Sequence, residues 1–173
     1  MSTTAATGSA KRPTGYTSTQ IMVHWVMAAM VLFQVFMGEQ IGPAWEAFRK
    51  GATPADADLF AANVHVAVGI GVFALAVIRL ALRVTFGAPP APAGQSRLQT
   101  GISHTVHGFL YLVIVAMPIS GAIAWVGGVE LAGQIHHLAK PAIMLVILLH
   151  VAGAFIQHFV KKTDVLKRML RRA

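Results

Sequence analysis

The sequence predicts an all-α membrane protein, a four-transmembrane-helix bundle with both termini in the cytoplasm. Three observations predict it. Of 173 residues, 55% are hydrophobic and only 12% charged, and mean hydropathy is strongly positive, a membrane composition rather than that of a soluble core. Four stretches lack Asp, Glu, Lys and Arg: Ile21–Gly38, Leu59–Ile78, Leu98–Gly128 and Pro141–Val160. Each reaches or approaches the ~20 residues that cross a bilayer as a helix. Finally, Lys and Arg divide unevenly, eleven on the side of the termini and three (Arg49, Lys50 and Lys140) on the other. The positive-inside rule then places both termini in the cytoplasm.

Taken in order, residues 1–18 are polar and rich in Ser, Thr and Ala, with no short apolar core followed by a small-residue cleavage site, and read as a cytoplasmic tail. Residues 19–160 form one membrane domain with spans near 19–38, 60–82, 104–126 and 138–160. The segment Gly38–Ala62 reads as a periplasmic loop with Pro43 and Pro54, anchored at the interface by Trp45 and Phe48. Pro89, Pro90 and Pro92 make Gly87–Gly94 a stiff cytoplasmic connection. Pro118 is expected to kink span 3, whereas Pro141 falls early in span 4, where a missing N–H costs little. Gly127, Gly128 and Gly133 mark the short loop between these two spans. Residues 161–173 form a basic tail in which Val165, Leu166, Met169 and Leu170 recur at helical spacing, predicting a short interfacial helix. The net charge of +8 lies mostly at span ends, where it meets anionic lipid headgroups; it does not indicate nucleic acid.

Against this apolar background stand four intramembrane histidines, His24, His65, His136 and His150. Ionisable side chains at membrane depth are expensive and demand a functional explanation. With no cysteine, disulfides, thiolate metal sites, iron–sulfur clusters and covalent haem attachment are excluded. His136 and His150 are fourteen residues apart on span 4. On an unbroken helix that spacing puts them within about 40° of one face and about 21 Å apart in depth. One span then serves two stacked sites. Span 1 rises from the cytoplasm and span 2 from the periplasm, so the depth-matched pairs are His24 with His150 and His65 with His136. Ala28, Gly69 and Gly153 follow the ligands at helical offsets and leave room for a flat group. Paired histidines of this kind predict axial ligation of two non-covalent haems. Two axial imidazoles leave no open iron position and suit outer-sphere electron transfer.

His104 and His107 form an H-x-x-H at the cytoplasmic start of span 3, suited to a haem propionate, a quinone site or a proton relay; without a carboxylate or cysteine it is a poor zinc site. Arg79 and Arg83, at the cytoplasmic end of span 2, either meet propionates or enforce topology. On the opposite face His137, Lys140, Arg49 and Lys50 either form a positive funnel that steers an anion or, for Lys140, simply anchor a helix end. His158 reads as interfacial.

The segment Tyr16-Thr17-x-x-Gln20-x-x-x-His24-Trp25 resembles the opening of the bacterial cytochrome b561 family. So do Asn63-Val64-His65 with Gly69 and Ile78-Arg79-Leu80, then His107 with Tyr111, Met117-Pro118 and Gly121, and finally His136 followed by His150. The resemblance covers nearly the whole chain after about residue 12. It implies a multi-pass protein of the bacterial inner membrane with two haem b groups, ligated by His24, His65, His136 and His150. It also implies exchange of electrons with membrane quinone, ubiquinone included. The donor it implies is superoxide, which would make the chain a superoxide:ubiquinone oxidoreductase, or else a periplasmic redox protein such as a hydrogenase or dehydrogenase to which it docks. Arg12, Tyr16, Gln20, Arg79 and His107 are candidate quinone or propionate contacts. Two departures fall on the periplasmic face: His137 replaces the Glu common after the first ligand of span 4, and the loop before it is short.

Two readings of another class compete, a transporter that uses the histidines directly and a haem-free membrane anchor. Proton-coupled transport usually places Asp or Glu inside the membrane, and the four spans contain none. The sequence leaves a homo-oligomer open.

Overall fold

The computed structural model describes residues 13–171, so Lys11, Arg12 and Arg172, counted above among the cytoplasmic cations, lie outside the described residues. Those residues are mostly helical, with α1 (Ser18–Met37), α2 (Gly42–Arg49), α3 (Asp56–Phe86), α4 (Arg97–Trp125), α5 (Glu130–Leu138), α6 (Lys140–Phe155) and α7 (Val165–Leu170). Four segments are long and apolar enough to cross a membrane: Ser18–Arg49, Asp56–Phe86, Arg97–Trp125 and Glu130–Val160.

Local chemistry sets the helix starts. Thr17 accepts from the Gln20 backbone N–H while the Gln20 side chain accepts from Thr17 N–H, and Ser96 and Gln99 repeat this reciprocal cap at α4. Each such box satisfies two amide groups that a helix start leaves free. Asp56 and Asp58 occupy the first turn of α3, where the helix dipole favours negative charge. Because charged and polar residues at the ends continue the helices, α3 and α4 begin before the apolar spans at 60 and 104.

The segment 38–62, expected as a loop, is mostly helical. A 3₁₀ turn (Gly38–Ile41) runs into α2, and α3 already starts at Asp56. The reason is Pro43: at the first turn of α2 its missing N–H breaks no bond and its fixed φ suits a helix, so a residue read as a breaker opens one. Span 4 is also not the single unbroken helix that the spacing argument assumed. It is interrupted at Ala139, and Pro141 lies in the first turn of α6. Pro118 sits inside α4.

Helix α1 packs on α3, α3 on α4, and α4 on both α5 and α6. Met27, Ala76 and Ile114 form the buried centre, with Val31, Leu75, Tyr111 and Val115 against it. Outward-facing apolar side chains are strongly exposed, Val84 at 80% and Phe36 at 74%. A surface of that kind is solvated by lipid tails. At the end carrying the termini, α7 docks on the bundle: Trp25 Nε1 donates to the Met169 carbonyl (2.6 Å) and Arg168 to the Pro90 carbonyl (2.9 Å). The side chain of Gln20 is buried and donates to the carbonyls of Leu82 and Gly87, tying the start of α1 to the end of α3.

Candidate functional site

The histidines face each other across two gaps. α1 is not closely packed on α6, nor α3 on α5, among the described residues. Across the first gap the rings of His24 and His150 have centroids 6.2 Å apart at an interplanar angle of 64°. Across the second, His65 and His136 are 6.0 Å apart at 72°. These are the two pairs that the depth argument selects. With metal–imidazole bonds of about 2 Å, as for zinc, an iron between two imidazoles separates the ring centroids by roughly 6 Å. The donor set and spacing therefore fit a bis-imidazole haem at either position.

At the end opposite the termini, His136 Nδ1 lies 3.0 Å from the Met117 carbonyl and 3.1 Å from Ser120 Oγ, while the Ser120 hydroxyl donates to the same carbonyl. The carbonyl accepts the Nδ1–H, which assigns the tautomer and leaves the Nε2 lone pair for a metal. Across the gap, Gln34 Nε2 donates to the His65 backbone carbonyl (2.8 Å). His65 Nδ1 and Gln34 Oε1 are buried without a hydrogen-bond partner. Glycines make room for both rings. A Cβ on Gly121 would lie 3.1 Å from His136 Cε1, and one on Gly38 would lie 3.4 Å from His65 Cε1. The small residues expected beside the ligands act differently: Gly69 clears Gln34, and a Cβ on Gly153 would meet nothing within 4 Å.

At the end carrying the termini, His107 joins the pair, its ring 5.0 Å from that of His150 and nearly perpendicular to it (89°). That separation is too short for an iron between them. His107 Nδ1 donates to the Ser103 carbonyl one turn back (2.7 Å). Trp25 stands edge-on to His24 at 5.2 Å, so α7 reaches this site through Trp25. Arg79 is half-buried on α3, and the Arg83 guanidinium lies 5.9 Å from the Tyr111 ring centroid. Gln20, named as a quinone contact, is committed to backbone carbonyls and is not free for that role. Arg12 lies outside the described residues, and Tyr16 is half-buried. His104 and His137 are exposed; His158 Nδ1 approaches the Thr163 carbonyl at 3.3 Å.

The positive funnel is not what the structure builds. Lys140 pairs with Glu39 (2.5 Å), Arg49 with Glu46 (3.3 Å) and Glu130 (2.6 Å), and Lys50 with Glu46 (3.0 Å). This face carries three cations against five carboxylates, Asp56 and Asp58 included. Lys140 thus anchors the start of α6 to the 3₁₀ turn, as the plainer of its two readings had it. Arg49 bridges α2 to α5, beneath Trp45 and Phe48, which pack against Trp125.

Sequence reasoning did not find Met117, Ser120, Gly121, Gln34 or Gly38 as ring partners. A faint signal existed, since Met117-Pro118-x-Ser120-Gly121 puts a helix breaker, a hydroxyl and a glycine together inside an apolar run.

Residues 15–172 match the family model described as prokaryotic cytochrome b561. A protein named "Cytochrome b562", from Cereibacter sphaeroides, is 35% identical over 158 residues, covering 91% of this chain and 96% of the relative. A second relative, "Probable superoxide oxidase CybB" of Yersinia pestis, is 24% identical over 177 residues, covering 90% and 95% respectively.

Proposed function

The chain belongs to the prokaryotic cytochrome b561 family of membrane electron-transfer proteins, and from that premise we propose that it binds two b-type haems and exchanges electrons between a donor at the face opposite its termini and membrane quinone. The observation that carries this reading is the pair of ring separations, 6.2 and 6.0 Å, each across a gap between helices that do not pack closely. His24 and His150 hold one group, His65 and His136 the other. When bound, haem would supply reversible one-electron chemistry. The residues orient and insulate. Met117 and Ser120 hold His136 in the tautomer that presents Nε2, and Gly38 and Gly121 admit the rings. Arg79 supplies positive charge for carboxylates at the other site. The lopsided basic residues support cytoplasmic termini in a bacterial inner membrane, with the Glu39–Glu130 face in the periplasm.

One observation bears on the donor. Arg49, Lys50 and Lys140 are each paired with a carboxylate, which favours a docked redox protein over a small anion drawn in by a positive field. Superoxide, the substrate in the name of the Yersinia pestis relative, is the second reading.

The test is a reduced-minus-oxidised spectrum of detergent-purified protein with haem quantified per chain, followed by reoxidation with quinone. Two low-spin b-type haems per chain, reoxidised by quinone, are expected. Folded protein that holds no stoichiometric haem after reconstitution overturns the reading and promotes the transporter or anchor.

A further inference from the structure

Helices α1 and α3 meet through the same short pattern. On α1, Gln34 is followed four residues on by Gly38, the residue that ends the helix; on α3, His65 is followed four residues on by Gly69. Residues at that offset share a helix face. The two patterns interlock. A Cβ on Gly38 would lie 3.4 Å from His65 Cε1 and 3.6 Å from its Nδ1, and one on Gly69 would lie 3.3 Å from Gln34 Nε2. Each glycine therefore receives the polar side chain of the other helix, and the Nδ1–Cε1 edge of His65 faces α1. Gln34 Nε2 donates to the His65 backbone carbonyl at 2.8 Å. That bond decides which way the amide points, because the reversed amide would set oxygen against oxygen. It leaves Gln34 Oε1 and His65 Nδ1 buried and unpartnered. Among the described residues, no other buried side-chain nitrogen or oxygen lacks a partner. Buried polar atoms rarely stay unpaired, since nothing then offsets their desolvation. Here one is an acceptor and the other a donor once protonated.

We propose that Gln34 is a positioning residue for His65, its Oε1 accepting the Nδ1–H of the ring when Nε2 holds the iron. The proposal rests on the two-haem reading above and adds a residue to it. An imidazole bound to a metal through Nε2 carries its proton on Nδ1 and almost always donates it. Across the gap, His136 has the Met117 carbonyl for that purpose. His65 has no partner at Nδ1, and the amide that already touches its backbone supplies one. With no Cβ at Gly38, the ring is free to turn toward it. A plain tie between α1 and α3 needs only the amide nitrogen and leaves Oε1 idle. Accepting the ring proton also makes the imidazole a stronger base, which favours ferric over ferrous iron.

The experiment compares wild type with Gln34→Leu, which removes the whole amide, and Gln34→Glu, which keeps an acceptor. Haem is counted first. Midpoint potentials are then titrated, and redox-difference infrared spectra are recorded for the imidazole band that reports hydrogen bonding at Nδ1. The midpoints are assigned with His150→Ala, in which only the His65–His136 haem is expected. In Gln34→Leu the preference of that site for ferric iron should fall roughly tenfold, the lower end of what such a partner is worth in metal affinity. That is a rise of about 59 mV for one electron, with the other midpoint unmoved. The imidazole band should shift to its weakly bonded position in Gln34→Leu and stay bonded in Gln34→Glu. A Gln34→Leu protein that holds both haems with the midpoint or the band unchanged overturns the proposal and leaves Gln34 a tie between helices. Should Gln34→Leu fail to hold the haem, Gln34→Glu decides: a bonded band supports the proposal and a weakly bonded one overturns it. A folded wild type that takes up no haem overturns the two-haem reading and the proposal with it.

Discussion

At the end of the bundle opposite the termini, His136 is held through Nδ1 by Met117 and Ser120, His65 through its backbone by Gln34, and the 3₁₀ turn and α2 are tied down by ion pairs. At the end carrying the termini, neither His24 nor His150 receives a hydrogen bond on its ring among the described residues. Their surroundings are instead a third imidazole and an indole. Similar ring separations are thus reached by different means, directed hydrogen bonds in one place and aromatic packing in the other. A hydrogen-bonded ring is fixed in tautomer and direction. A packed one tolerates small shifts.

The strongest way to break this comparison is to delete one ligand at each end. His136→Ala and His150→Ala should each halve the haem per chain, read by pyridine haemochrome, while His107→Ala keeps the full complement. Loss of both haems from one substitution would mean that the sites are not separate.

Gln20→Leu probes the end that carries the termini. It strands the carbonyls of Leu82 and Gly87, at a cost of about 1–3 kcal/mol. Thermal unfolding should show the loss, and the spectrum of the His24–His150 site should change while that of the other site does not.

Ser120→Ala sharpens the contrast from the other side. It removes one of two groups at His136 Nδ1, and such supporting partners are worth about 10–100-fold in metal affinity. With the Met117 carbonyl still in place, roughly tenfold faster haem loss from that site is expected, measured by transfer to a haem scavenger. Ser103→Ala should do little, because His107 bonds the Ser103 carbonyl (2.7 Å) rather than relying on its hydroxyl (3.4 Å).

Arg49→Ala should be the mildest. The pair with Glu130 is exposed on both sides, so stability should fall by at most about 1 kcal/mol in a thermal melt.

The histidine pairs were legible because spacing and depth along a span are one-dimensional quantities, readable from His136, His150, His24 and His65 alone. The partners of those rings were not. Whether Gly121 or Gly153 abuts an imidazole depends on which faces of α4, α5 and α6 meet, a property of helix packing rather than of any one stretch. The caps at Thr17–Gln20 and Ser96–Gln99 lay in plain view as S/T-x-x-Q patterns. Apolar runs alone overlook them and start the third span too late. The ion pairs of Glu39, Glu46 and Glu130 required knowing that 38–49 is helical, which Pro43 concealed by reading as a breaker.

The interruption at Ala139 separates the two paired histidines of one span. His136 precedes it and His150 follows it. Pro141 has no N–H to give, so the ladder lacks a rung just there. A continuous helix behaves as a stiff rod, and a twist at one end reappears at the other. Ala139 keeps right-handed helical dihedrals and is bracketed by hydrogen bonds to Ile135 and from Ile143, so the two stretches stay coupled through one weakened turn, and a bend between the two histidine pairs costs least at that turn.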